Sequence, residues 1–173
     1  MARYLVNAGQ LAEDSWYRNA EQEGSRFTGE GGHFIDTLSW WLDSLPEQVY
    51  AAAGPSPDDV QVMAEFADGS TGSISYSTVG SARYQKETLD AAAGGRSARL
   101  DNFRQAAVWT GRRRNVIKSR AGQDKGQAEQ VARFVESVRS GGPMPITLDS
   151  LLATTRATIA VGESLASGKP EPV

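Results

Sequence analysis

A stretch of alternating apolar and polar residues, 60–78, constrains the fold of this chain most. Its sequence is VQVMAEFADGSTGSISYST, with two alternating runs on either side of Asp68 and Gly69. Alternation with a period of two is typical of a strand with one buried face, and an Asp-Gly pair between two such runs predicts a hairpin turn. We therefore expect an antiparallel sheet with one apolar face.

Further patterns add strands before and after this hairpin, and helices mostly towards the end of the chain. They predict strands over 3–9, 48–53, 86–93, 97–102 and 106–111, and helices over 31–44, 125–142 and 147–170. Residues 10–32 have no period and predict a long loop. Strands grouped together, with helices outside the group, favour an α+β fold: a mainly antiparallel open β-sheet with helices packed on one face.

Composition excludes several classes of protein. The 173 residues fit one domain, 1–173, and the formal net charge of −3 gives no electrostatic support for a nucleic-acid partner. The absence of cysteine excludes disulfides and thiolate metal sites, and we expect no metal site in a chain with one histidine. No apolar run is long enough to predict a membrane span, and no signal-peptide pattern is present, so a cytoplasmic protein is expected. The basic cluster at 112–114 predicts a solvated loop or, less simply, an anion site.

The only histidine, His33, lies in GEGGHFIDTLSWWL, residues 29–42. On a helix starting near residue 31, the apolar side chains share one wide arc, whereas His33 and Trp40 fall on the opposite side. His33 is then either an ordinary surface histidine near a helix start or an acid–base group, because a neutral imidazole can accept a proton near pH 7. Trp40, a large apolar residue away from the core face, indicates a partner surface.

An ordered set of motifs runs nearly the length of the chain: VNAG (6–9), DSW (14–16), GEGGHFIDTL (29–38), FADGSTGSISYS (66–77), KETLD (86–90), LDNFR (100–104) and DKGQAEQVARFVESVRSG (124–141). This set resembles the C-terminal half of the Gfo/Idh/MocA oxidoreductases, the family of glucose–fructose oxidoreductase and inositol dehydrogenase. It is most similar to the subgroup with a GE..HF.D helix start.

The resemblance implies a two-domain parent enzyme. Its N-terminal Rossmann domain binds NAD or NADP and carries a catalytic lysine, and its C-terminal domain supplies an acid–base histidine, here His33. The parent reaction would be hydride transfer at a secondary alcohol of a sugar, cyclitol or similar polyol. We expect substrate contacts from Asn7, Trp16, Glu30 and Asp36.

The nucleotide-binding half is expected to be absent from this chain. No G-x-G-x-x-G fingerprint follows a strand, and no Glu-Lys-Pro motif occurs. We therefore expect no cofactor site here, no activity of the chain alone, and docking of the missing Rossmann domain over the helix face with His33 and Trp40.

Two alternatives stay open. The family's aspartate four residues before the histidine is replaced by Gly29, with Glu30 one residue away, which favours a non-catalytic α+β dimerisation or ligand-binding module. In either case a homodimer through the open sheet is expected, because the outward face of the 60–78 hairpin carries serines and few charges.

Overall fold

The computed structural model describes residues 1–12, 15, 25–56, 58–120 and 122–173. These residues form nine strands and three helices. In chain order they are β1 (Ala2–Asn7), α1 (Arg26–Leu42), β2 (Pro46–Ala53), β3 (Val60–Phe66), β4 (Thr71–Ser77), β5 (Glu87–Ala93), β6 (Arg96–Asp101), β7 (Gln105–Thr110), β8 (Arg113–Lys118), α2 (Gln127–Ser140), α3 (Leu148–Ser167) and β9 (Glu171–Pro172).

All nine strands belong to one open sheet in the order β8-β7-β6-β5-β1-β4-β3-β2-β9. The β1–β4 pair is parallel and every other neighbouring pair is antiparallel. The predicted α+β class with a mainly antiparallel open sheet is confirmed. The hairpin of β3 and β4 pairs Val62 with Ile74, so both buried rows of the alternating pattern lie on the same face.

The core lies between that face and two of the helices. Sheet residues such as Tyr4 and Ile74 pack with Leu38 of α1 and Val161 of α3, and all four side chains are almost fully buried. Burial of this kind stabilises a fold by roughly 25 cal/mol per Å² of apolar surface removed from water. The core therefore fixes α1 and α3 on one side of the sheet.

Helix α1 begins earlier than predicted, because Ser25 caps it by accepting a hydrogen bond from the backbone N–H of Thr28 (3.1 Å). The glycines that predicted a loop are inside the helix. A Cβ at Gly31 would lie 2.4 Å from the ring of Phe27, so the glycine permits close packing rather than a turn. The predicted loop is wrong from residue 26 onwards, and His33 lies in the second turn, beyond the reach of the helix N-terminus.

The basic cluster is also corrected. Residues 113–118 form the edge strand β8 instead of a loop, and the guanidinium of Arg114 lies 5.4 Å from the centre of the Trp109 ring on β7. Charged side chains on an edge strand discourage pairing with another chain. The sequence did not predict this strand, because its only apolar residues, Val116 and Ile117, are adjacent and follow a run of arginines.

Helix α2 has the predicted bounds within two residues, but no side chain in it is buried. Its apolar stripe, defined by Val131, Phe134, Val135 and Val138, is exposed, with 53% of Phe134 accessible. Helical periodicity thus located the stripe correctly, while nothing in the described part of the chain covers it.

Ser164 of α3 should contribute measurably to stability. Its hydroxyl is fully buried, accepts a hydrogen bond from the backbone N–H of Ala51 (2.9 Å) and donates to the carbonyl of Lys169 (2.5 Å). We expect Ser164→Ala to lower the free energy of unfolding by about 1–3 kcal/mol, because it leaves a buried N–H unpaired. Urea denaturation measures this; Glu163→Ala, at an exposed site on the same helix, should change it by less than about 0.5 kcal/mol.

Candidate functional site

A cavity of about 610 Å³ opens beside His33. It lies between α1, the start of β5, the turn between β6 and β7, and the segment that leads into α2. Chemically distinct side chains share its wall: Glu30, His33, Asp36, Trp40, Phe103 and Lys125. His33 is exposed and Trp40 is 75% exposed, as the helical periodicity predicts.

Glu30 reaches the cavity as the partner of a buried arginine. Arg26 is 7% exposed, donates to the carbonyls of Gly9 (2.6 Å) and Ala8 (3.2 Å), and lies 3.4 Å from a carboxylate oxygen of Glu30. The arginine therefore ties the end of β1 to α1 and orients Glu30 one turn before His33. Glu30 is 25% exposed, so a ligand in the cavity can still reach it.

Asp36 lies about one helical turn after His33 and lines the same cavity. Burial raises the pKa of the Asp36 carboxyl above its usual range, and the nearby His33 acts in the opposite direction. A carboxyl group of this kind keeps its proton to higher pH than an exposed aspartate, so it can donate as well as accept hydrogen bonds.

One other predicted residue, Asn7, does not line this cavity. Asn7 donates through its side chain to the carbonyl of Ser81 (2.8 Å), and its backbone N–H donates to the carbonyl of Lys86 (2.7 Å). Asn7 thus holds the segment between β4 and β5, outside the cavity lining. Trp16 lies outside the described residues.

Sequence reasoning missed a buried ionic group on the cavity floor. Glu87 is 5% exposed; one carboxylate oxygen accepts from the hydroxyl of Tyr4 (2.6 Å) and the other accepts from Lys125. Burial first, and the Glu87 carboxylate second, raise the pKa of Tyr4, which keeps the phenol protonated as a donor. The only sequence signal was the KETLD motif, which puts a charge at the start of a buried strand.

The described residues contain neither a metal-ion site nor a membrane-spanning helix. Among the described residues, no group of three or more histidine, cysteine, aspartate or glutamate side chains is arranged to hold a metal ion. None of the helices in the described part of the chain has the length and apolar character that a membrane span requires.

The open, mainly antiparallel sheet with two helices packed on one face defines the class of domain, and comparison gives its family. The family model of the GFO/IDH/MocA C-terminal domain matches residues 1–99. This chain therefore belongs to the Gfo/Idh/MocA family, and it corresponds to the C-terminal domain of the proteins in that family. No curated protein sequence matches.

Solved structures share the fold at low sequence identity. They include an oxidoreductase domain protein from Kribbella flavida (16% identity, TM-score 0.84), an NAD binding oxidoreductase from Klebsiella pneumoniae (17%, 0.83) and an aldose-aldose oxidoreductase from Caulobacter crescentus (12%, 0.80). Each match covers 99% of this chain but 57%, 58% and 55% of the other chain, respectively. The chain thus spans little more than half the length of these proteins, and the likeness establishes the fold.

The raised pKa of Asp36 gives a pH-dependent prediction. In the unfolded chain this carboxyl ionises in its ordinary range, so its contribution favours folding at low pH and is lost as the pH rises through the folded-state value. Asp36→Asn removes that dependence, and we expect the variant to be more stable than the wild type at pH 7. The difference in unfolding free energy should shrink towards about pH 4. Urea denaturation at both pH values measures it, and a difference independent of pH would contradict the assignment.

Proposed function

We propose that this chain is the substrate domain of a nicotinamide-dependent oxidoreductase that transfers hydride between NAD or NADP and an alcohol or ketone of a sugar, cyclitol or similar polyol. The observation that carries the proposal is the exposed His33 on the wall of a cleft, in a chain that belongs to this oxidoreductase family. The Klebsiella pneumoniae neighbour is described as NAD binding and the Caulobacter crescentus neighbour as an aldose-aldose oxidoreductase, which supports the cofactor and the substrate class.

In this proposal His33 is the acid–base group. In the oxidation of a secondary alcohol, the neutral imidazole of His33 would accept the O–H proton, and it would return a proton in the reverse reduction. The cofactor supplies the hydride acceptor and is bound by another domain. Glu30 and Asp36 flank His33 and offer oxygen atoms to substrate hydroxyls, while the rings of Trp40 and Phe103 offer apolar walls to the carbon skeleton.

The second domain is proposed to dock over the face of α1 that carries His33 and Trp40. Exposed apolar surface continues from this face onto α2, because Gln130 and Ile146 line both the His33 cavity and an adjacent apolar groove against Phe134. A docked domain would cover Trp40 and the α2 stripe together and would close the cleft to water. Exposed apolar patches of this extent mark interaction surfaces.

The chain alone is predicted to bind no dinucleotide, because its sequence has no glycine fingerprint to hold a pyrophosphate. Calorimetric titration with NADH and with NADPH should give no micromolar binding and no turnover of polyols. Micromolar affinity for either cofactor would contradict the proposal that another domain binds it.

Substitution of His33 separates chemistry from folding. We expect His33→Ala to change the free energy of unfolding by less than ~1 kcal/mol, because the side chain is exposed. In a protein that also carries the nucleotide-binding domain, turnover should fall by about 10²-fold or more. Thr110→Ala, at an exposed site on β7 outside the lining of the His33 cavity, is the control and should leave turnover unchanged.

One observation favours the alternative, a non-catalytic dimerisation or ligand-binding module: Gly29 stands where the family's aspartate is expected. Unchanged turnover in the His33→Ala protein, with the nucleotide-binding domain present, would favour this module over the enzyme.

A homodimer through the open face of the sheet is proposed for either function. Met63 of β3, which is 56% exposed, lies opposite Ser73 of β4 on one side and Tyr50 of β2, which is 42% exposed, on the other. Ser75 lies opposite Gln61. Small and apolar side chains without a covering layer suit close approach of a second sheet, and a closed two-fold dimer is the commonest form of such contacts. A specific interface would bury more than roughly 1,000 Å².

Ser75→Arg should disrupt this dimer, because the new side chain is long and charged at the centre of the face. Light scattering should give a dimer mass for the wild type and a monomer mass for the variant. Asp43→Arg, an exposed position at the end of α1, is the control and should stay dimeric. A monomeric wild type would end the proposal, and a dimeric Ser75→Arg variant would move the interface elsewhere.

A further inference from the structure

Glu87 is buried and forms an ion pair with Lys125, which is partly exposed. A carboxylate that is 5% exposed is costly to desolvate, so folding alone gives little reason to place one here. Both oxygens of Glu87 are occupied, one by Tyr4 and one by Lys125. Lys125 itself is 33% exposed and lines the His33 cavity. The pair therefore joins the protein interior to the cleft.

The position of Lys125 is not explained by the helix that follows it. Lys125 directly precedes Gly126, the N-cap of α2, where the positive end of the helix disfavours a cation. Gly126 has a φ of 76°, and its N–H donates to a side-chain oxygen of Asp124 (2.8 Å). This turn directs Lys125 away from α2 and towards Glu87.

The opposite side of the lysine is formed by the hairpin turn between β6 and β7. Asn102 and Phe103 have φ values of 48° and 53°, the left-handed region that tight hairpin turns use. The ring of Phe103 lies 5.4 Å from the ammonium of Lys125. The backbone N–H of Asn102 donates to the carbonyl of Glu87 (2.7 Å), and Gln123 donates to the carbonyl of Asn102 (3.1 Å). The turn is thus tied to Glu87 and holds the Phe103 ring beside the lysine.

We propose that Lys125 is an oxygen-binding group of the His33 cleft that donates hydrogen bonds to a substrate hydroxyl, with Glu87 and Tyr4 as the residues that position it. The inference rests on the proposed function and adds a binding residue to it. An ammonium has three N–H donors, of which Glu87 takes one, so others remain for a ligand in the cavity. A cation beside a hydroxyl oxygen also stabilises negative charge that develops there as the proton leaves for His33.

The experiment uses the single histidine and the four lysines of the chain as separate NMR reporters. The chain is labelled with ¹³C at histidine ring and lysine side-chain positions and titrated with D-glucose and with myo-inositol. We expect the signals of His33 and of Lys125 to shift along the same binding curve, while those of Lys118 and Lys169, which do not line the cavity, stay in place. Lys125→Met assigns its signal and should weaken the affinity measured at His33 by about tenfold or more, as expected for a lost charged hydrogen bond.

Two further variants separate binding from folding. Lys118→Met, at an exposed site on β8, is the matched control and should keep full affinity. In Lys125→Met, the buried Glu87 carboxylate loses its ionic partner. The double variant Lys125→Met/Glu87→Gln removes this buried negative charge and keeps an oxygen that can accept from the Tyr4 hydroxyl. We expect the double variant to recover thermal stability without recovering affinity. Recovery of both would make Lys125 purely structural and overturn the inference.

The remaining outcomes are distinct. A shift at His33 without one at Lys125 overturns the inference and leaves the proposed function intact. A shift at Lys125 alone supports oxygen binding by the lysine but argues against His33 as the acid–base group. If neither signal moves at high polyol concentration, the inference fails for this class of ligand, whereas the proposed function is decided by turnover of His33→Ala with the nucleotide-binding domain present.

Discussion

The rest of the structure depends on how closely α1 packs on the sheet. Gly72 of β4 has no side chain, and a Cβ there would lie 3.1 Å from Leu38 of α1 and 3.0 Å from Phe66. Gly31 likewise leaves space for the ring of Phe27. Because these contacts fix the rotation of α1, the apolar side of the helix is buried and His33 is directed into the cleft. The candidate site is thus a consequence of core packing.

The described part of the molecule has three regions that differ in polarity: an apolar core, a polar cleft and an exposed apolar surface. The half of the sheet under α1 and α3 contributes buried apolar side chains to the core. The cleft beside it carries an arginine–glutamate pair at 26 and 30 and a lysine–glutamate pair at 125 and 87, each with one nearly buried member. Beyond the cleft, Trp40 and the α2 stripe are exposed. This order, from core to polar cleft to apolar rim, agrees with the proposed docking of a second domain over the cleft.

Much of the fold could be predicted from the sequence, because strand periodicity and turn residues act locally. The hairpin of β3 and β4, the bounds of α2 and α3, and the open antiparallel sheet follow from such patterns. The early start of α1 could not be predicted, since glycines at 29, 31 and 32 favour a loop unless tertiary contacts require them. Edge strand β8 could not be predicted because its arginines break the alternation of apolar and polar residues. The two-residue strand β9 is too short to show a pattern.

The sequence by itself determined the class of fold, the family resemblance, and His33 and Trp40 as residues off the core face of one helix. Only the tertiary structure decided which side chains meet His33. Tyr4, Glu87 and Lys125 come from three separate segments, up to 121 residues apart by numbering (125 − 4). Asn7 lies only three residues after Tyr4, but its hydrogen bonds hold the segment before β5 and do not bring it to the cleft. A local pattern reports only the exposure of a residue on its own element, whereas contacts between distant segments depend on how the sheet is ordered.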